Sequence, residues 1–342
     1  GDPRTASLGA LFDHVASAGY DGVEMGASAF APFFPDGTPA ETIVGTVRLE
    51  AAKRGIAVCG DLLIVSDTGA APPADSAALD FGDPALGTKL SAILQTDRAL
   101  GCEYVTFQIS LPPRHMNTGG EYRNDEAFLT LCAERIAMLQ ALCAKEQLNF
   151  YCETHIDRIS EDIEAFTKIM DRAVPFEINA DLSHYIYRGI SQGQGLEKIL
   201  GRIGHMHQRL ARQHGDLSAD VPDPATDWED PNGATRLAWD MAKRALRGGL
   251  SSRCIMGETG PIHLVGGDRT LDLDASLVPL FRMMAEYADE QVGVVSSSPS
   301  EQPFGQRAAM ATAVDSVDPG VPPPDPAVSR LWPAGSVPAS KD

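Results

Sequence analysis

Four stretches of this chain end a β-prone run in a side chain able to bind a cation. "NFYCET" carries Glu153, and "FEINADLSH" carries Asp181 and, three residues on, His184. "IGHMHQRL" carries His205 and His207, and "RCIMGET" carries Glu258. A single carboxylate at a strand end is ordinarily solvated, an Asp three residues before a His can simply cap a turn, and a lone H-x-H pair is ordinarily a satisfied core pair. The four together ask for more, because buried like charges are costly unless a cation accompanies them. Period-two alternation puts His205 and His207 on one face. Three carboxylates and an imidazole form a hard, oxygen-rich set, suited to Mn²⁺, Mg²⁺ or Co²⁺ better than to structural zinc.

Such residues converge only if the elements behind them arrange the strand ends around a common point. β-prone runs fall at 22–25, 56–64, 104–110, 149–154, 176–183, 203–210 and 253–259. Helical patterns separate them, at 7–18, 40–54, 86–100, 124–146, 160–171, 195–202, 232–247 and 274–290. Asn124 is the expected start signal of the fourth helix, acids fill the first turn of the fifth, and Pro175 stops it. Continuously apolar strands alternating with amphipathic helices predict a parallel sheet wrapped by helices, an α/β fold of the (β/α)₈ barrel type. One strand is missing or atypical: it should precede helix 7–18, where only six residues stand. A doubly wound open sheet is the alternative, without a G-x-G-x-x-G after a first strand to support it. Barrel enzymes place their chemistry at the carboxyl ends of the strands, where these side chains stand.

The 342 residues suffice for one large domain with a substantial core, and 43% hydrophobic with 22% charged residues is ordinary globular composition. A formal charge of −19 argues against nucleic acid and anionic membranes as partners. No run of about 18 apolar residues predicts a membrane span. The six cysteines have no C-x-x-C pair and sit mostly in apolar segments, so reduced thiols in a reducing compartment, cytoplasm or organelle interior, are expected. The opening "GDPRTAS" has neither Met nor an apolar targeting run, which suggests a trimmed chain whose targeting segment is out of view. From about 292 the composition turns to Pro, Ser, Gly and Ala, so the expected division is a barrel at 1–291 and an extended tail at 292–342. Phe304, Leu331 and Trp332 are its candidate anchors to the barrel or to a neighbouring subunit.

The motifs "GYDGVEMG", "CETH", "DLSH", "IGHMHQR" and "GETGP", in this order across residues 7–290, resemble the xylose isomerase-like barrel superfamily, the sugar phosphate isomerase/epimerase group. The resemblance implies a single divalent metal and no organic cofactor, with Glu153, Asp181, His207 and Glu258 as ligands, which selects His207 over His205. It further implies that His184 contacts substrate and that Glu24 and Gln108 line the pocket. The chain departs from the ketose epimerases at Ile159, where they carry a glutamate, and at Gln213, where they carry an arginine. Arg209 and Arg212 stand near the second position and are expected to bind substrate in its place, and Arg158 stands near the first.

The activity so implied is isomerisation or epimerisation of a sugar or polyol ketone. Glu153 and Glu258 would remove and return the proton through an enediolate. The alternatives are a dehydratase of the inosose dehydratase type on the same scaffold, or a non-catalytic barrel serving as a structural subunit. The expected partners are a small-molecule sugar or polyol and, by analogy, a second copy of the chain or a larger assembly through the tail.

Overall fold

A computed structural model describes residues 6–68, 78–116, 121–182, 184–185, 195–208, 212–213, 219–220, 250–252 and 255–257. Alternation of apolar strands with amphipathic helices builds α1 (Leu8–Ala18), β1 (Gly22–Glu24), α2 (Ala27–Phe30), α3 (Ala40–Ala52) and β2 (Ala57–Ser66). There follow β3 (Leu79–Asp80), α4 (Leu86–Leu100), β4 (Tyr104–Ile109), α5 (Glu126–Lys145) and β5 (Asn149–Glu153). The series continues through α6 (Ile163–Arg172), β6 (Glu177–Asp181), α7 (Leu196–Leu200), β7 (Ile203–Gln208), β8 (Arg212–Gln213), β9 (Ala219–Asp220) and β10 (Ile255–Gly257).

The sheet order β1-β2-β4-β5-β6-β7-β10 is sequential, and every pairing along it is parallel. Sequential parallel order with helices between strands is the winding of a (β/α)₈ barrel. The short β3 extends the sheet beside the far end of β2, and β8 and β9 form a separate antiparallel pair. No strand ahead of α1 lies among the described residues. The helical patterns at 232–247 and 274–290 and the tail from 292 lie outside them.

Cross-strand register decides which side chains look inward. Glu153 pairs with Asn179, Asn179 with His205, and Asp181 with His207. Partners across a parallel ladder point to the same side, so one face collects Glu153, Asn179, Asp181, His205 and His207. The opposite face of the same strands carries Phe107, Phe150, Cys152, Ile178 and Ala180, which pack under the helices in one continuous core. A bulge between Val23 and Glu24 skips Cys59, so that Glu24 pairs with Gly60. Bulges re-aim side chains at sheet edges, and this one turns Glu24 toward the same interior.

Two local details differ from the sequence expectation. Asp125, not Asn124, caps α5: its carboxylate accepts from Phe128 N at 3.0 Å, and a 3-10 turn occupies 121–124. Helix α6 begins at Ile163 rather than at residue 160, because Ser160 is committed to Glu153 O and Asp162 becomes the cap, accepting from Ala165 N at 2.8 Å. Removing that cap as Asp162→Ala is expected to cost about 1 kcal/mol in urea unfolding. An unchanged denaturation midpoint would show the cap to be dispensable. By length and composition α5 could also pass for a membrane span. Its Phe128, Leu129, Cys132, Ile136, Leu139 and Cys143 are instead buried in the core. Among the described residues, Cys102, Cys132, Cys143 and Cys152 are buried free thiols.

Candidate metal centre

The interior face ends in a buried polar cluster. Glu153, Asp181 and His207 are 1, 0 and 4% exposed, and His184 is 7%. At this depth each ionised group needs a partner. Glu153 Oε1 lies 3.3 Å from His207 Nδ1, and Glu153 Oε2 accepts from Gln108 Nε2 at 2.8 Å. His184 Nε2 stands 3.2 Å from Asp181 Oδ2, and this buried nitrogen has no hydrogen-bond partner among the described residues. One donor atom from each of Glu153, Asp181 and His184 lies within 4.8 Å of the others. Two buried carboxylates, Glu153 and Asp181, beside the His207 imidazole are a hard donor set that fits a divalent cation, and the unbonded His184 nitrogen next to them is left open to a ligand.

Glu24 organises the histidine side of the cluster. Its Oε1 is 2.9 Å from His207 Nε2, and its Oε2 is 3.0 Å from His205 Nε2 and accepts from Tyr104 OH at 2.9 Å. Burial alone would raise the Glu24 carboxyl, but His207 and His205 together hold it well below the usual carboxylate range. The ionised carboxylate accepts from both Nε2–H groups, and His205 Nδ1 hydrogen-bonds the Ser252 hydroxyl at 2.9 Å. His207 Nδ1 is thereby the ring nitrogen turned toward Glu153. Burial works against a charged His207, but facing Glu24 and Glu153 raises it well above an ordinary histidine. Glu24, His205 and His207 also fall within ligand distance of one another.

Tyr104 reaches Glu24 because residue 60 has no side chain. A Cβ on Gly60 would come within 2.3 Å of the Tyr104 ring. Behind the β1 end, Asp61 and Asp97 are buried against each other and hold the next turn. Asp61 Oδ1 accepts from Gly26 N at 2.8 Å and Leu62 N at 2.8 Å, and Asp97 Oδ1 accepts from Ala27 N at 3.0 Å. A Cβ on Gly26 would sit 2.1 Å from the Asp61 carboxylate, so only glycine permits this approach.

Of the residues expected from sequence, Glu153, Asp181, His184, His207, Gln108 and Glu24 meet in one cluster. Glu24 and Gln108, expected to line a pocket, are hydrogen-bonded to His207 and Glu153. Glu258 and Arg209 lie outside the described residues. Arg212 belongs to β8, and its side chain is not described. Sequence reasoning passed over Tyr104, Ser252 and the Asp61–Asp97 pair. Asp61 did leave a signal, since it interrupts the otherwise apolar strand "AVCGDLLIVS".

Compared with known proteins, the chain matches no family model and no curated relative. Solved structures do match. The 3-keto-D-glucoside 4-epimerase of E. coli superposes with a TM-score of 0.52 at 13% identity, over 81% of this chain and 95% of that one. The shared fold is that of a TIM barrel. A xylose isomerase-like TIM barrel protein from Mycobacterium smegmatis, in complex with magnesium, matches at 0.51 and 13% identity, over 84% and 92% of the two chains. A probable 3-DHS dehydratase from Bacillus anthracis matches at 0.51 and 12%, over 84% and 93%. The matching structures thus include an epimerase and a dehydratase, and identity at this level establishes the shared scaffold alone.

Proposed function

We propose that this chain is a divalent-metal-dependent isomerase or epimerase of a sugar or polyol ketone. The observation that carries the reading is the convergence of Glu153, Asp181, His184 and His207, with His184 Nε2 buried and unbonded. Glu153, Asp181 and His207 would hold the metal together with Glu258. When bound, it would supply Lewis acidity to the ketone oxygen and its neighbouring hydroxyl.

The chain's own residues do the remaining work. Glu153 and Glu258 take the proton from the carbon beside the carbonyl and return it to the same or the adjacent carbon. Gln108 holds Glu153 through Oε2, which limits its rotation. His184 orients a substrate hydroxyl. The surrounding core excludes bulk water, which strengthens each of these contacts.

The test loads the protein with Mn²⁺, Mg²⁺ or Co²⁺ and follows exchange of carbon-bound hydrogen with deuterated solvent, using ketoses and keto-inositols. One metal per chain and exchange on at least one ketone are expected, with both lost or strongly weakened in Glu153→Gln. Formation of a dehydrated, unsaturated product without exchange would instead assign the lyase reading. Failure to bind metal at millimolar concentration would sink the catalytic assignment and leave a structural barrel.

A further inference from the structure

The segment after β5 is braced unusually well. Asp157 takes a left-handed conformation at φ 59°, turning the chain back so that Arg158 bridges Ser110 at the end of β4. Leu111 N donates to Asp157 O at 3.2 Å and Ile159 N to Ile109 O at 3.0 Å. Ser160 then ties the loop to the strand end, donating to Glu153 O at 2.6 Å and accepting from His155 N at 3.1 Å. Tyr185 OH donates to Ser160 O at 2.9 Å and pins the other side. Arg158 is therefore held on a fixed backbone, not on a free loop.

Its side chain is half-buried and unbalanced. Nε donates to Gln108 Oε1 at 3.0 Å and Nη1 to Asp157 O at 3.2 Å, while Nη2 has no partner among the described residues. No carboxylate pairs with the guanidinium among the described residues. Arg123, Arg135 and Arg172, by contrast, are each matched to an Asp or Glu. Gln108 stands between Arg158 and Glu153, giving its oxygen to the one and its amide N–H to the other. The arginine is thus one amide away from the candidate metal ligands, yet is not neutralised by them. Burial disfavours its charge, and Asp157 and Glu153 only partly offset this. A fixed, half-buried guanidinium with open N–H groups is a receptor for a planar or tetrahedral anion.

We propose that Arg158 is the anion-binding residue of this site, and that the substrate is a ketone bearing a carboxylate or a phosphate. This rests on the ketone reading above and narrows its substrate class. The anion would lie on the Gln108 side, with the guanidinium offering Nη2 and the outer N–H of Nη1.

Calorimetry on the metal-loaded chain tests it with three probes: a neutral ketohexose, its 6-phosphate, and a keto-aldonate. One anionic probe is expected to bind at least about 10-fold more tightly than the neutral sugar, and its identity distinguishes phosphate from carboxylate. In Arg158→Gln the preference should vanish, while Arg158→Lys, with charge but no fork, should recover part of it. Equal binding of neutral and anionic sugars by the unmodified protein would overturn the proposal, as would a preference that survives Arg158→Gln. Inorganic phosphate and acetate, which carry no ketone, separate the two levels. Their binding, lost in Arg158→Gln, without any sugar binding would keep the anion site and sink the ketone reading. Neutral ketose binding without anion preference would do the reverse, and no binding of any probe would sink both.

Discussion

Glu24→Gln is expected to weaken divalent metal binding about 10- to 100-fold while leaving the barrel folded. The native carboxylate accepts from His205 Nε2, His207 Nε2 and Tyr104 OH. An amide of the same shape has one acceptor oxygen and an NH₂ that must face a donor. At least one of the three bonds is then lost, and the neutral His207 ring that metal binding requires is freed to carry its one proton on Nδ1, the nitrogen turned toward Glu153. Tyr104→Phe removes a single donor and leaves both histidine contacts, so its effect should be several-fold smaller. Metal titration by calorimetry reads the affinities, and nitrogen NMR of the His207 ring reads the tautomer directly. Affinity in Glu24→Gln within two-fold of the original, with an unchanged tautomer, would show that Glu24 does not position His207.

The second large effect belongs to Asp97. Asp61 Oδ2 and Asp97 Oδ2 are both buried, and neither finds a donor among the described residues. One proton held between the two carboxyls satisfies both oxygens. Burial raises Asp61 to about 6, against the help of its contacts to Asp97, Gly26 and Leu62. Burial, and then the Asp61 charge, raise Asp97 well above the carboxylate range. The folded state therefore keeps protons that the unfolded chain releases near pH 4. Stability from this pair is fully present below about pH 4 and declines as pH rises through 6 and beyond, because the native state binds the extra protons.

Asp97→Asn replaces the shared proton with a permanent N–H donor and keeps an oxygen for Ala27 N. It should melt close to the original protein at pH 5 and about 2–4 °C above it at pH 8, the shift expected of roughly 1 kcal/mol in a domain of this size. Asp97→Ala strands the Asp61 carboxylate and the Ala27 N–H, and should lose roughly 3 kcal/mol at either pH. Melting curves for the asparagine variant that track the original at every pH would rule out a shared proton.

Much of the architecture was legible in the residues. Every described strand of the main sheet except β3 falls on a run recognised from β-prone composition, because a strand buried on both faces must be continuously apolar. Ala40–Ala52 and Leu86–Leu100 follow the helical periodicity to within two residues. The start of α6 slipped because two polar residues competed for the capping role, and the choice of Asp162 depended on Ser160 being bound to Glu153 O. The short α2, β3 and the β8–β9 pair gave too few residues to show a period.

By itself, then, the sequence determined the alternation of elements, the parallel sheet it requires, and the residue types that end β5, β6 and β7. Those follow from local composition and from the two-residue period of a strand. Only the tertiary structure decided their partners. Glu24 meets His205 and His207 from 181 and 183 residues away, through a bulge that skips Cys59. Asp61 faces Asp97 because a strand and a helix pack together, and Arg158 faces Gln108 because a left-handed Asp157 turns the chain back. Register and packing between distant segments set such contacts, and no local period encodes them.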